Sequence, residues 1–274
     1  AAAWPEGCDI LVVDHYGLDS AFEEAARGWA KGVVVIDDLA DRRHACDLLV
    51  DTAPDRTEAD YAAWVPAGCR LLLGPRYALV RPRFAALRRS ALARRATAHP
   101  VRRMLVSLGG TDPADVTSRA LEGIARSGVK AEVDVVLGRV TPHLDRVRAA
   151  ARRVPRATRV LSEVSDMAAL MAKADLAVGA GGTTTWERCC LGLPTVLVTT
   201  ARNQEHQAAA LAARGAALHL GWHEEVTAEK VAAAVARLAD DGAERRRLAL
   251  AAAELCDGEG ASRFVAAVSE VLTA

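Results

Sequence analysis

The sequence has few aromatic residues, no excess of charge of either sign and no long hydrophobic run, and each absence excludes a class of protein. Phe, Trp and Tyr make up 4% of the 274 residues, whereas 51% are hydrophobic. A chain of this composition can form a sizeable core and is neither disordered nor collagen-like. The longest apolar runs are roughly six residues, far below the roughly 20 that cross a bilayer. We therefore expect a cytoplasmic protein without a membrane partner.

The charges and cysteines exclude further classes. Lys and Arg total 35, and Asp and Glu total 35, so no overall field attracts nucleic acid and we expect a small-molecule partner. The six cysteines show neither a C-x-x-C motif nor a neighbouring His at metal-ligand spacing. This pattern is typical of reduced thiols and predicts neither a metal nor another cofactor.

Short β-branched runs alternate with Ala-rich segments of helical periodicity, which predicts βαβ units and parallel sheets. Strands are predicted near 9–13, 33–36, 47–50 and 70–73, then near 102–108, 132–137, 158–161, 175–179, 195–199 and 216–220. Helices are predicted near 113–127, 142–153, 165–173, 184–191, 204–214, 227–240, 243–255 and 260–272. The second series predicts a complete six-stranded doubly wound domain. The break before Pro100 predicts domains at 1–97 and 98–274.

An arginine run extends from Arg81 to Arg103, with eight arginines and no carboxylate. One interpretation is the solvated face of a helix, which is what such runs usually form. The other places part of the run beside a bound phosphate in a cleft between the two domains.

Ligands of open parallel sheets bind beyond the carboxyl ends of the strands, so the residues that follow each strand are the candidates. The first candidate segment is Gly109-Gly110-Thr111, with Pro113 expected as the first residue of the next helix. Two glycines would let a phosphate approach backbone N–H groups. Strand-to-helix turns also use glycine for steric reasons alone.

The second candidate segment is Gly181-Gly182-Thr183-Thr184, which follows a predicted strand and precedes Glu187. Its glycines and hydroxyls offer backbone and side-chain donors to a diphosphate at a helix start. It lacks the Gly-Lys-Ser/Thr of a Walker loop and the spacing of a dinucleotide fingerprint. Glu187 has two interpretations: a capping box with Thr184, or an acceptor for the ribose hydroxyls of a nucleotide.

Two further segments follow strands. Asn203 and Gln204 can each donate and accept, as recognition of sugar hydroxyls or a uracil edge requires, although Asn203 could equally cap a helix. His15 and Tyr16 end the first strand and are the candidate catalytic residues of the first part, with Asp37-Asp38 at the end of the next strand.

Taken together, these motifs resemble a known family. Their order and spacing are those of the UDP-2,4-diacetamido-2,4,6-trideoxy-β-L-altropyranose hydrolase family of pseudaminic acid biosynthesis. The segments that carry the resemblance are DHYGLD, VVVIDDLADRRHACDLLVD, LLLGPRYALVRPRF, LVSLGGTDP, GAGGTTTWERCCLGLPTVLV and ARNQEHQAAAL. The stretch from Gly181 to Pro194 is also similar to GT-B glycosyltransferases. The resemblance implies an α/β fold of GT-B type with two Rossmann-like doubly wound domains.

The resemblance also implies roles. Gly109, Gly110 and Thr111 would line the diphosphate side, and Gly181, Gly182, Thr183 and Thr184 would hold phosphate. Glu187 would bind the ribose, Asn203 and Gln204 would face the sugar, and Tyr16 would lie near it. Water would attack the anomeric carbon and release UDP, with an N-terminal sugar-side domain and a C-terminal UDP-binding domain.

The chain departs from the family at its start. The family opens with a G-x-G-H-x-x-R loop whose histidine is the proposed general base, whereas this chain begins AAAWPEGCDILVV without Met. We therefore expect an incomplete N-terminal domain and a missing upstream segment, which leaves the activity of this chain open. The alternatives are a GT-B glycosyltransferase with a UDP-sugar donor and an inactive nucleotide-sugar-binding fragment.

Overall fold

A computed structural model describes residues 6–97 and 99–273 of the chain. They divide into two compact units, one within Ala1–Val80 and Gly258–Ala274 and the other within Arg81–Asp257. The predicted boundary at 97/98 borders Ala98, which lies outside the described residues. The helix before it, Pro82–Ala96, lies in the second unit because Arg88, Arg94 and Arg95 donate hydrogen bonds to backbone carbonyls there.

The first unit contains a parallel four-stranded sheet of order β1-β2-β3-β4. Its strands are β1 (Cys8–Val13), β2 (Ala30–Ile36), β3 (Leu48–Asp51) and β4 (Arg70–Leu73), and its helices are α1 (Ser20–Ala26), α2 (Glu58–Tyr61) and the distant α11 (Gly260–Val271). One sheet face packs around Val33, Val35 and Tyr61. The other, with Val34 and Val50, packs against α11. Both faces are therefore covered, as parallel sheets require.

The second unit contains a parallel six-stranded sheet of order β10-β9-β8-β5-β6-β7. Its strands are β5 (Arg103–Ser107), β6 (Glu132–Leu137), β7 (Thr158–Ser162), β8 (Leu176–Ala180), β9 (Thr195–Thr199) and β10 (Leu218–Trp222). Its helices are α3 (Pro82–Ala96), α4 (Val116–Arg126), α5 (Leu144–Ala151), α6 (Met167–Lys173), α7 (Thr184–Cys190), α8 (Glu205–Ala213), α9 (Ala228–Asp240) and α10 (Gly242–Leu255). This is the doubly wound order, with its switch point between β5 and β8. The predicted class, α/β with Rossmann-like parallel sheets, is confirmed.

The predicted strands and helices are present with some differences at their ends, and three further helices were not predicted. The strand predicted near 216–220 is β10, Leu218–Trp222. The helix predicted from Pro113 begins instead at Val116, because Asp112 and Asp115 adopt left-handed backbone angles that turn the chain first. The short helices α1 and α2 and the 15-residue helix α3 are additional to the predicted helices.

Over the described ranges, no helix combines the length and the apolar character needed to span a bilayer. The six cysteines are free thiols. Cys46 and Cys69, 23 residues apart, bring their sulfur atoms to 3.5 Å.

Candidate functional site

A cleft of about 620 Å³ opens at the carboxyl ends of strands in the second unit. It lies beside the switch point, where open α/β sheets bind ligands. Its lining comprises Arg81, Ser107, Gly109, Gly110, Val136, Leu137, Gly138, Arg139, Glu163, Val164, Met167, Thr184 and Glu187. The cleft therefore combines one apolar wall with four charged side chains, as a site for an amphipathic ligand would.

A second cavity of about 690 Å³ lies at the other end of the same sheet. Arg102 and Lys130 line it, immediately before β5 and β6. Neither glycine segment reaches this amino-terminal edge. We therefore assign the candidate site to the carboxyl edge, although the cavity there is slightly smaller.

The glycine loop, Ala180–Thr184, leads from β8 into α7. The N–H groups of Gly182, Thr183 and Thr184 donate to no acceptor within the described part of the chain. Gly181 is held in place instead: its N–H donates to Gln204 Oε1 at 3.2 Å and its carbonyl accepts from Gln207 Nε2 at 2.7 Å. Three consecutive donors on a braced loop form a ready site for an anion.

Gln204 braces the glycine loop. Its Oε1 accepts from the N–H of Gly181 and from the N–H and hydroxyl of Thr200, at 3.0 to 3.2 Å. The helix that follows has Gln204, not Asn203, as its N-cap residue. Asn203 is exposed. Neither residue lines the cleft, and the sugar contact expected of them stays a prediction.

Glu187 lies at the edge of the cleft with 15% of its side chain exposed. The N-cap of α7 is Thr183, so the Thr184–Glu187 capping box proposed as one interpretation does not form. Glu187 Oε1 instead accepts from Arg81 Nη2 at 3.3 Å. Burial raises the pKa of Glu187, and the nearby Arg81 opposes this rise. A half-buried carboxylate at this position is free to accept hydroxyl hydrogen bonds.

The loop after β5 differs from the glycine loop. Gly109 has φ +104°, and Gly110 accepts the N–H of Gly138 across the cleft floor at 2.8 Å. The carboxylate of Asp112 accepts the N–H groups of Val116 and Thr117 at 3.0 and 2.8 Å. The start of α4 is therefore capped internally, and only the exposed Gly109, Gly110 and Thr111 remain available to a ligand.

The arginine run serves two purposes. Arg95 is 6% exposed and donates to four backbone carbonyls, so the solvated-face interpretation is wrong for it. Arg81 lines the cleft of the second unit, and its contact with a phosphate between the two domains, the second interpretation, stays a prediction. The prediction missed the opposite wall, where Arg139 Nε and Glu163 Oε1 lie 2.8 Å apart. Both follow strands, which is the signal that would have identified them.

In the first unit, Tyr16 and Asp38 form a pair at the carboxyl ends of β1 and β2. The Tyr16 hydroxyl donates to Asp38 Oδ2 at 3.1 Å, and Tyr16 is 55% exposed. Burial raises the pKa of Asp38, with Asp37 and Asp51 adding to the rise and the Tyr16 hydrogen bond opposing it. His15 turns back on its own loop, where Nδ1 accepts the N–H of residue 17 at 3.0 Å. Tyr16 thus has an acidic partner, whereas His15 supports the turn.

No group of three or more His, Cys, Asp or Glu side chains among the described residues is arranged to hold a metal ion.

Comparisons with known proteins identify a family for most of the second unit. The family model described as Glycosyltransferase family 28 C-terminal domain matches residues 104–263, a range that includes the glycine loop and Glu187. Spore coat polysaccharide biosynthesis protein SpsG of Bacillus subtilis is 29% identical over 210 residues, covering 76% of this chain and 60% of SpsG. The chain thus spans less than two thirds of that relative.

Two further similarities bear on the prediction. UDP-2,4-diacetamido-2,4,6-trideoxy-beta-L-altropyranose hydrolase of Campylobacter jejuni is 23% identical over 211 residues, covering 77% of this chain and 73% of the hydrolase. The crystal structure of Acinetobacter baumannii MurG has a TM-score of 0.69 at 17% identity, covering 96% of this chain and 73% of MurG. The expected GT-B type of fold is confirmed.

Proposed function

The chain belongs to the family of glycosyltransferase family 28 C-terminal domains, and from that premise we propose that its second unit binds a UDP-sugar. The observation that carries this proposal is the glycine loop, whose three consecutive N–H groups have no acceptor in the described structure and which ends at Thr184 in the lining of the cleft. A diphosphate would accept them, in charge-assisted hydrogen bonds. Glu187 would accept the ribose hydroxyls, and the apolar wall at Val136 and Val164 suits a flat base.

The reaction we propose is hydrolysis of a UDP-linked 2,4-diacetamido-2,4,6-trideoxy sugar. Water forms a bond to the anomeric carbon while the bond from that carbon to the UDP oxygen breaks, and the water's proton passes to a base. Negative charge then builds on the departing UDP. The N–H groups of the glycine loop would stabilise that charge, because they are fixed before the reaction begins.

The N-terminal unit would supply the groups that act on the sugar, and Tyr16 with Asp38 is its best candidate pair. Burial raises the pKa of Asp38, so its carboxylate is a stronger base than an ordinary aspartate. Such a base typically contributes about 10² to 10⁴ in rate. The role expected of His15 stays part of this proposal, with the weaker support that its Nδ1 is already occupied.

A glycosyltransferase is the second candidate function. It is favoured by the name of the family and by the higher identity to SpsG, a spore coat polysaccharide biosynthesis protein, than to the hydrolase. The glycine loop would serve either reaction, because both release UDP.

Incubation with the UDP-linked sugar, followed by chromatography of the products, separates the candidates. Hydrolysis predicts UDP and free sugar in equal amounts without an acceptor. Release of UDP only after an acceptor is added would overturn hydrolysis in favour of transfer. Asp38→Asn should lower kcat at least tenfold with little change in UDP affinity, whereas the exposed Asp41→Asn is the matched control.

A further inference from the structure

Arg188 is buried directly behind the glycine loop, with 2% of its surface exposed. Its Nη2 donates to the carbonyl of Ala180 at 2.5 Å and to Thr185 Oγ1 at 3.0 Å, and its Nη1 donates to Thr184 Oγ1 at 3.2 Å. All three acceptors are neutral groups. The guanidinium is therefore hydrogen-bonded directly to Thr184, whose own N–H has no acceptor in the described structure.

The charge of Arg188 is only partly compensated, through the electrostatic attraction of the adjacent Glu187. Among the described residues, no carboxylate forms an ion pair with it, and its buried Nε has no hydrogen-bond partner. The adjacent Glu187 pairs with Arg81 instead. Burial lowers the pKa of Arg188 to about 10, so the side chain still carries its charge at neutral pH. A buried cation of this kind is costly unless an anion is brought to it.

The strand beneath the loop is adapted to this side chain. A Cβ at Gly179 would lie 2.6 Å from Arg188 Nη1 and 2.7 Å from its Cζ. Only a glycine leaves room for the guanidinium where it lies. The position of the charge is thus determined by the backbone of β8, as well as by its hydrogen bonds.

We infer that Arg188 is a positioning residue whose buried positive charge makes the glycine loop selective for a diphosphate over a monophosphate or an uncharged nucleoside. The inference rests on the proposed function, because it concerns the same UDP site. A charge held inside the protein acts at low effective dielectric and is screened little by salt. Its contribution should therefore increase with each negative charge of the ligand, without direct contact.

Arg95 provides a matched control. It is also buried, its Nε also lacks a partner, and burial likewise lowers its pKa to about 10. Its guanidinium donates to backbone carbonyls at the end of α6 and α7, away from the glycine loop. Removing it should affect stability but leave ligand selectivity unchanged.

The test is calorimetric titration of uridine, UMP and UDP into wild type, Arg188→Gln, Arg188→Lys and Arg95→Met. We expect Arg188→Gln to weaken UDP binding at least tenfold, UMP less, and uridine by less than threefold. Arg188→Lys should restore part of the preference for UDP, and Arg95→Met should retain all of it. If the Arg188 variants do not fold, Gly179→Ala moves the guanidinium without removing it and should also reduce the preference.

Results that contradict the inference about Arg188 differ from those that contradict the proposed binding of a UDP-sugar. An equal loss for UDP and uridine in the Arg188 variants, or in Gly179→Ala, would overturn the inference and leave the proposed function standing. If the preference of wild type for UDP disappears at about 0.5 M salt, it arises from the exposed arginines, which salt screens. That result too would overturn the inference and leave the proposed function standing. Failure of wild type to bind UDP at all would overturn both.

Discussion

Replacing Glu187 by alanine tests its proposed role as the partner of the ribose hydroxyls. Glu187 has 15% of its side chain exposed and forms an ion pair with Arg81 at 3.3 Å. Hydrogen bonds to a charged group contribute about 1.5 to 3 kcal/mol, which corresponds to roughly 10- to 150-fold in Kd. The same change leaves Arg81 without its carboxylate, and the freed positive charge would attract the phosphates. The total affinity for UDP therefore understates the loss at the ribose.

A pair of ligands isolates the ribose contact. UDP and 2′,3′-dideoxy-UDP carry the same base and phosphates, so the effect of the freed Arg81 cancels in their ratio. By calorimetry, wild type should prefer UDP by the factor above, and Glu187→Ala should show little preference. Glu187→Gln, which keeps one acceptor oxygen, should be intermediate. The matched control is Glu163→Gln, because Glu163 is a cleft carboxylate that also pairs with an arginine.

The pH dependence has a definite sign. Burial raises the pKa of Glu187, so the carboxylate takes up its proton at a higher pH than the usual value of about 4.3. The preference for UDP over the dideoxy ligand should therefore decline on acidification before an ordinary glutamate titrates. A wild-type preference in Glu187→Ala, or an equal loss of preference in Glu163→Gln, would refute the ribose contact of Glu187.

Two further predictions concern stability. Gly260→Ala should lower the free energy of unfolding by about 1 to 3 kcal/mol, because the added Cβ would lie 2.3 Å from the Ala78 carbonyl oxygen. The control Gly68→Ala places its Cβ in open space and should change that free energy by less than about 0.5 kcal/mol. Equal urea midpoints for the two variants would contradict this prediction. Asp175→Ala should cost about 3 kcal/mol at pH 7. Burial alone would raise the pKa of Asp175, but the hydrogen bonds that it accepts from two backbone N–H groups and other partners lower it. The stabilisation of the folded state by Asp175 is present above the pKa of the unfolded state and is lost as pH falls through the pKa of the folded state. If Asp175→Ala and wild type differ in free energy of unfolding as much at about pH 3 as at pH 7, this role of the Asp175 carboxylate is refuted.

The fold could be predicted well because its strands are short β-branched runs between Ala-rich helices. The helices α1 and α2 escaped prediction because seven and four residues are too few to show a period. The helix α3 is recognisable as Ala- and Arg-rich, but its buried side includes Arg95. A buried arginine interrupts the apolar pattern from which the bounds of a helix are predicted.

The candidate site could be predicted in part. Glycines after strands identify both the loop after β5 and the glycine loop after β8. The sequence does not reveal that the Asp112 carboxylate caps α4, which leaves the glycine loop as the one with consecutive N–H groups available to a ligand. The side-chain amide oxygen of Gln204, Oε1, likewise accepts hydrogen bonds within the protein. Tertiary contacts of this kind, which the sequence does not show, decide which polar atoms remain available to a ligand. Arg188 had one available signal: it is the last charged residue before the mainly apolar segment 189–198.

The helix α11 has a consequence for how the protein is made. It covers one face of the sheet formed by β1 to β4, although the whole second unit separates it from them in the chain. During synthesis, Val34 and Val50 therefore lack their covering helix until residues 260–271 leave the ribosome. The second unit, whose elements are contiguous, can complete its core first. Expression of the first 80 residues alone should accordingly yield a sheet with a bare hydrophobic face, prone to association.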